Sequence, residues 1–366
     1  MITVNNNSKK HVSIFLLLAI NIVFTYHYSQ RVTSWAWLIT LVSSVFYGLL
    51  LSRERSQGRL PFEGSLPLIL ILAFVVLAGF IFVKIPKETL NADRFGDIQA
   101  FWDAALRGDY PYNNRTYRGS NITTMPVFGL LALPFYLLNK IDYFSLVGLL
   151  LFAWLLKKEK ATQAFQIQVI LFLICSTFYL WEVVARSNLF LNSTLILLAI
   201  IHFNKVEKNN KILIINAIVF GLLLCSRMVF ALPIGMMLLY LWKNGQLNFK
   251  QMIAFGLVMS VTLLLTFLPF IYHFPHDFFK LNPFLSQAKL TVFHTFLLIG
   301  FSIITSLLVK KIQNLFFYMG LILVASGVLF YLENYKVFAD FTYPTFGVPF
   351  LLYFLVVNEK IVLFEK

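Results

Sequence analysis

Apolar runs of roughly twenty residues recur along almost the whole chain, separated by short polar or basic connections. They fall at about residues 11–28, 33–52, 66–84, 141–156, 162–181, 187–204, 211–226, 228–242, 251–272, 290–309, 314–332 and 341–358. A helix needs about 20 mostly apolar residues to cross a bilayer core. No period-two alternation runs long enough for a membrane barrel. The pattern therefore predicts an all-α, polytopic transmembrane helical bundle of about 12 spans, one domain over residues 1–366. The segment 126–139, PVFGLLALPFYLLN, breaks the pattern: it is short, contains Pro134 and runs into Lys140 and Asp142. It is expected to be a re-entrant or interfacial piece, since a full span there would invert everything that follows.

Composition agrees with the pattern. Hydrophobic residues make up 59% and charged residues 13% of the 366-residue chain, which contains 40 phenylalanines. A soluble domain carries roughly a quarter charged residues. The net charge of +14 does not point to nucleic acid, because the cations punctuate the chain between apolar runs instead of gathering on one face. The clusters are Lys9/Lys10, Arg53/Arg55/Arg59, Lys157/Lys158/Lys160, Lys205/Lys208/Lys211, Lys243/Lys250, Lys310/Lys311 and Lys360/Lys366. With both termini cytoplasmic, all of them fall inside. The other face then receives the loop 85–125, the turn at Arg186, the loop 274–289 and the segment 333–340. The first run follows lysines as a signal peptide does, but Tyr26, His27 and Tyr28 stand where small cleavage-site residues belong, so it is expected to remain as a span. Cys175 and Cys225 lie in apolar runs without ligand spacing, and no disulfide is expected.

Charge in this apolar chain is concentrated in residues 85–125. Within DRFGDIQAFWDAALRGDYPY, Ile98, Phe101, Trp102, Ala105 and Leu106 recur at helical spacing and predict an amphipathic surface helix stopped by Gly108. Asp97 is expected just ahead of that helix. There it is either an N-cap or a fixed carboxylate that takes a proton from a hydroxyl. Arg227, near the end of an apolar run, either snorkels or offers its guanidinium fork to a lipid phosphate. Arg186 is a second cation for that phosphate, unless neighbouring Glu182 neutralises it. In YHFPHDFF, His273, His276 and Asp277 form an external cluster, but Pro275 prevents the one-face helical spacing of metal ligands. No metal site is expected there.

Asp97, Phe101, Gly108, Tyr110, Tyr112, Met125 and Pro126 follow, in order and spacing, the opening pattern of glycosyltransferase family 87, and Pro134 matches a second proline of that family. GLLLCSRMVFALPIGMMLLYLWKN (221–244) resembles the family's Lys-x-x-Pro helix, with Arg227 near the Lys and Pro233 near the proline. ARSNLFLNSTLILLA (185–199) is similar to its Gly-Gln-x-Asn stretch, with Asn188 at the Asn. The resemblance covers about residues 90–245. The chain departs from the family in having Ala185-Arg186 for Gly-Gln, Arg for Lys, Met125-Pro126 for Tyr-Pro-Pro and two further spans before the loop.

The resemblance implies the GT-C fold of mannosyltransferase-like enzymes in the bacterial inner membrane, serving the cell envelope. It implies a polyprenyl-phosphate-linked sugar as donor, a glycan or glycolipid acceptor at the extracytoplasmic face, inversion at the sugar, and no required cofactor. Residues 85–125 become the catalytic loop with Asp97 as base. Arg227, Arg186, Asn188, Arg94, Tyr110 and Tyr112 become substrate- or phosphate-binding residues, with Asp93, His276 and Asp277 as secondary candidates. Membrane lipids surround the chain. Two other readings remain: a polysaccharide polymerase or ligase acting on lipid-pyrophosphate-linked glycans, and a lipid or glycan transporter or flippase. For a transporter, no internal repeat and no run of ionisable residues through consecutive spans is seen.

The charge distribution predicts that Asn114 is extracytoplasmic and Asn209 cytoplasmic. Single cysteines placed at the two positions should label with an impermeant thiol reagent from opposite sides. Labelling of both from one side would break this topology.

Overall fold

Backbone polar groups that cannot reach water must bond to one another, and the chain meets that demand with helices. The computed structural model describes residues 6–31, 33–52, 65–90, 92–287, 290–334 and 341–364. The described residues are helical, with one isolated bridge between Arg115 and Asn121 as the sole β contact among them. The helices are α1 (Asn6–Ser29), α2 (Ala36–Ser52), α3 (Leu66–Lys84), α4 (Arg94–Arg107), α5 (Pro126–Leu137), α6 (Val147–Lys158), α7 (Gln163–Cys175), α8 (Thr177–Val184) and α9 (Leu189–Lys205). They continue with α10 (Asn210–Leu224), α11 (Ala231–Lys243), α12 (Phe249–Leu265), α13 (Leu268–His273), α14 (Pro275–Lys280), α15 (Pro283–Gln287), α16 (Val292–Leu308), α17 (Ile312–Asn334) and α18 (Val348–Phe364).

Among the described residues, α1, α3 and α17 are long and apolar enough to cross a membrane, and α7 with α8 adds a fourth if the bent pair is one span. The other apolar helices have 10–17 residues. Two predicted runs are interrupted for local reasons. The run 162–181 bends by 58° between α7 and α8, where Ser176 is extended and its hydroxyl bonds back to Leu173. The amide of Thr177 that this break frees donates to Asn21 Oδ1 of α1 at 2.8 Å, so no orphan donor is left. The run 251–272 divides before Leu268, where Pro269 in the first turn of α13 has no amide to continue α12. Segment 126–139 forms α5, only 12 residues or about 18 Å long, against a hydrocarbon core of roughly 30 Å. The cluster Arg53, Arg55 and Arg59, most of segment 333–340, Lys366 and the side chain of Lys360 lie outside the described residues.

The outer surface is apolar where water would forbid it. On α3, Leu68, Leu72, Val76, Phe80 and Val83 are all more than half exposed, in a stripe at helical spacing. A contiguous face of this size is far beyond what soluble monomers expose, and it is compatible with contact to lipid. α9 lies at the centre, with Phe190, Ile196, Leu197, Ile200 and Phe203 fully enclosed. Small residues bring backbones together elsewhere: a Cβ on Gly327 of α17 would meet Pro344 N at 2.3 Å, so only glycine lets the 343–347 turn lie on that helix.

The lysine clusters meet at one end of this bundle. Lys205 pairs with Glu159, Lys243 Nζ donates to Val309 O at 3.1 Å, and Lys9 lies over the ring of Tyr318. α9 runs from Asn188 to that end and α10 runs back from it to Arg227. Arg227 and Asn188 therefore sit at the opposite end, about 25 Å away along a 17-residue helix.

Candidate functional site

The amphipathic helix in the charged loop is α4, and it begins earlier than its sequence pattern suggests. Asp93 occupies the N-cap position, so Asp97 lies inside the first turn and is not a cap. The early start follows from packing: Phe95 and Gly96 are buried, and a Cβ on Gly96 would press on the Tyr117 ring at 2.7 Å. The buried face is Phe95, Ile98, Phe101 and Ala104, and Leu106 is 61% exposed instead of apolar-facing. Gly108 ends the helix in the left-handed region, φ 81°. Trp102 Nε1 ties α4 to α5 through Gly129 O at 2.9 Å.

Asp97 is held mainly by Thr123, with a further side-chain hydrogen bond from Thr124. Thr123 donates its amide to Oδ1 at 2.6 Å and its hydroxyl to Oδ2 at 2.7 Å. Burial pushes the carboxyl above the usual carboxylate range, while the Thr123 bonds and the nearby Arg227 charge pull it back only in part. Thr123 is itself anchored: its carbonyl accepts from Gln287 Nε2 at 3.3 Å, and Gln287 Oε1 accepts from the amide of Met228 at 3.1 Å. That chain of bonds joins the loop before α5 to the extended residue Arg227, φ −158° and ψ 130°. Among the described residues the Arg227 guanidinium has neither a hydrogen bond nor an ion pair; its charge faces Asp97, Arg94 and Tyr343 without contact. Arg94 reaches the same place from the first turn of α4, donating to Thr342 Oγ1 at 3.1 Å and stacking on Tyr343 at 5.1 Å.

The third wall comes from the α8–α9 turn. Ser187 N bonds to Glu182 O and Arg186 N to Val183 O, the paired bonds of a Schellman motif, with Arg186 at the left-handed position, φ 52°. This is an unusual place for arginine, and its side chain compensates. The guanidinium is 1% exposed and bonds Asp142 Oδ1 at 2.9 Å, Val184 O at 2.5 Å and Ile85 O at 2.6 Å. Arg186 thus ties three connections together and lines neither cavity described below. Glu182 is not its partner: Oε1 accepts from Phe190 N at 2.7 Å and caps α9 from the preceding helix. That leaves Asn188, at the N-cap position of α9, with no capping bond.

Two cavities meet at Arg227 and Thr123. The smaller, about 30 Å³, is lined by Arg94, Asp97, Asn188, Asn192, Ser187 and Arg227. The larger, about 600 Å³, runs between α11, α16 and α17 from Met228 to Leu239, about 16 Å of helix. Its walls are mostly apolar, with Leu232, Met236, Leu298, Ile299 and Phe330 among them, and its polar lining includes Arg227, Gln287 and several hydroxyls. Phe293, Phe296 and Ile304 on the far side of α16 are exposed, so a single helix separates this cavity from the outer apolar surface.

Asp97, Arg94, Asn188 and Arg227, which are 130 residues or so apart in sequence at the extremes, therefore converge. Tyr110 and Tyr112 are buried in the support of the loop, with hydroxyls on Leu281 O and Thr124 O. Asp93 accepts from Thr116 outside the cavities. His276 and Asp277 sit on the short α14, away from the site, and the described residues hold no cluster of three or more His, Cys, Asp or Glu suited to a metal. Sequence reasoning missed Thr123, Gln287, Ser187, Asn192 and Tyr343. Asn188 and Asn192 gave a usable signal, since two amides four residues apart share one face of an otherwise apolar helix. Comparison with protein-family models, curated proteins and solved structures returned no match.

The two arginines should separate by stability. Arg186→Ala breaks a buried pair, a cost of up to about 3–5 kcal/mol, reduced here because Asp142 is 20% exposed. Arg227→Ala removes no bond within the chain and should change stability by less than about 0.5 kcal/mol. Thermal unfolding of the detergent-solubilised variants checks this, and the reverse order would contradict the assignment.

Proposed function

We propose that this chain is a multi-pass membrane glycosyltransferase of the GT-C type, with about 12 spans and both termini cytoplasmic. It moves a sugar from a polyprenyl-phosphate donor to a hydroxyl of a glycan or glycolipid on the extracytoplasmic side. The observation that carries this reading is the meeting of Asp97 and Arg227 in one chamber that continues into an apolar cavity of about 600 Å³. A carboxylate, a free guanidinium and a long dry groove are what a lipid phosphate and its reaction need side by side.

The lipid chain occupies the groove between α11, α16 and α17, exchanging bilayer hydrocarbon for apolar side chains, so the groove positions the chain through packing. Its phosphate meets Arg227, whose planar fork matches two oxygens at once. Arg94, held by Thr342 and Tyr343, adds a second positive charge to the same wall. The acceptor hydroxyl oxygen attacks the anomeric carbon and its proton passes to the Asp97 carboxylate. The bond from that carbon to the phosphate oxygen breaks, and its electron pair leaves with the phosphate, whose growing charge Arg227 stabilises. One displacement inverts the carbon. The phosphate leaving group is already activated, so the step invokes no metal. Thr123 keeps Asp97 in place, and burial makes it a stronger base than a free aspartate.

Asp97→Asn tests the reading. Thr123 can still donate its amide to the new Oδ1 and accept from Nδ2 with its hydroxyl, so the loop should fold. Transfer of labelled sugar from polyprenyl phosphate should nonetheless fall by about 10²–10⁴-fold with donor binding retained. In the wild type, activity should rise with pH as the base deprotonates, along a limb lying above the ordinary aspartate range. An Asp97→Asn variant as active as wild type would remove the proposed base.

A further inference from the structure

Three oxygens in the small chamber are buried without a partner: Ser187 Oγ, Asn188 Oδ1 and Asn192 Oδ1. Their residues are 0%, 8% and 3% exposed. An unmet buried acceptor costs roughly 1–3 kcal/mol, so three together on one wall signal a ligand that supplies the missing donors. The local structure explains why they are free. The Schellman turn at Arg186 aims Ser187 and Asn188 inward, Glu182 takes over the capping that Asn188 would ordinarily do, and Asn192 lies one turn further along α9.

Resting on the function proposed above, we infer that this wall is the subsite for the donor's sugar, with Ser187, Asn188 and Asn192 accepting hydrogen bonds from its hydroxyls. A serine hydroxyl and two amides on one wall both accept and donate, which suits groups that do the same, and Arg94 and Arg227 on the same chamber exclude a cationic partner. Sugar hydroxyls are neutral and do both. The chamber shares Arg227 with the lipid cavity, so whatever is attached to the phosphate is what reaches the wall. Its volume of about 30 Å³ is two to three times the roughly 10–15 Å³ that one water requires, so adjacent hydroxyls of the sugar enter it while the ring stays at the junction of the two cavities. Selection of the sugar therefore resides in Ser187, Asn188 and Asn192, and affinity for the lipid phosphate in Arg227 and the apolar groove.

The test measures binding of two probes, polyprenyl monophosphate and polyprenyl phosphoglucose, to the full chain in lipid nanodiscs. Each hydrogen bond is worth roughly a factor of two to ten, so wild type should prefer the glucosylated lipid by about tenfold or more. Asn192→Leu should lose most of that preference while holding the bare phosphate as well as wild type. Its ligand-free melting temperature should be unchanged or higher, because an unmet acceptor has been removed. Ser187→Ala, the gentler change, should show the same trend should Asn192→Leu fold poorly. A preference that survives both substitutions, an equal loss for both lipids, or a marked fall in ligand-free stability of Ser187→Ala overturns the subsite. Wild type that binds bare polyprenyl phosphate without preferring the glucosylated form overturns the subsite alone. Wild type that binds neither lipid overturns the proposed function and the subsite with it.

Discussion

The paired bonds from Thr123 to the Asp97 carboxylate hold the two halves of the site in register. Asp97 belongs to α4 and Thr123 to the loop that enters α5, and Gln287 extends the connection to Met228 and so to Arg227. Three segments distant in sequence are thereby joined through short polar contacts at one end of an apolar bundle. Without Thr123 the buried carboxylate would lose the larger part of what offsets its desolvation, keeping the Thr124 hydroxyl and the Arg227 charge. With it, the carboxylate is fixed and still retains lone pairs for a proton.

The surrounding bundle explains why these contacts carry such weight. Where the outer surface is apolar, buried polar groups have few partners to choose from, so whether each one is paired is informative. Arg186 and Arg227 show the two cases. Arg186 spends its guanidinium on Asp142 and two carbonyls, closing the turn that aims Ser187 and Asn188. Arg227 has the same chemistry and makes no such bonds, which leaves it available at the junction of the two cavities.

Much of the helical framework was legible because apolar runs translate directly into helix, and α3 matches its run to the residue. Breaks inside runs were less legible: the 58° bend at Ser176 depends on Asn21 receiving the freed amide from another helix. The site was legible in its charged members and not in its neutral ones. Asp97, Arg94 and Arg227 stand out in an apolar chain, whereas Thr123 and Gln287 matter only through contacts that sequence spacing does not encode. The apolar spacing that begins at Ile98 sets Asp97 ahead of α4, whereas the helix starts a turn earlier at Arg94, where Gly96 packs against the Tyr117 ring. Arg186 was misjudged for a related reason: its partner is Asp142, 44 residues away, instead of the adjacent Glu182.

The function proposed above places a lipid phosphate at Arg227 and its chain in the groove between α11, α16 and α17. A structure of the full chain in nanodiscs with polyprenyl monophosphate tests it most directly. Phosphate density is expected within hydrogen-bond distance of the Arg227 guanidinium, with continuous chain density running along α11 toward Leu239. Phosphate density seated elsewhere, with that groove empty, would contradict it.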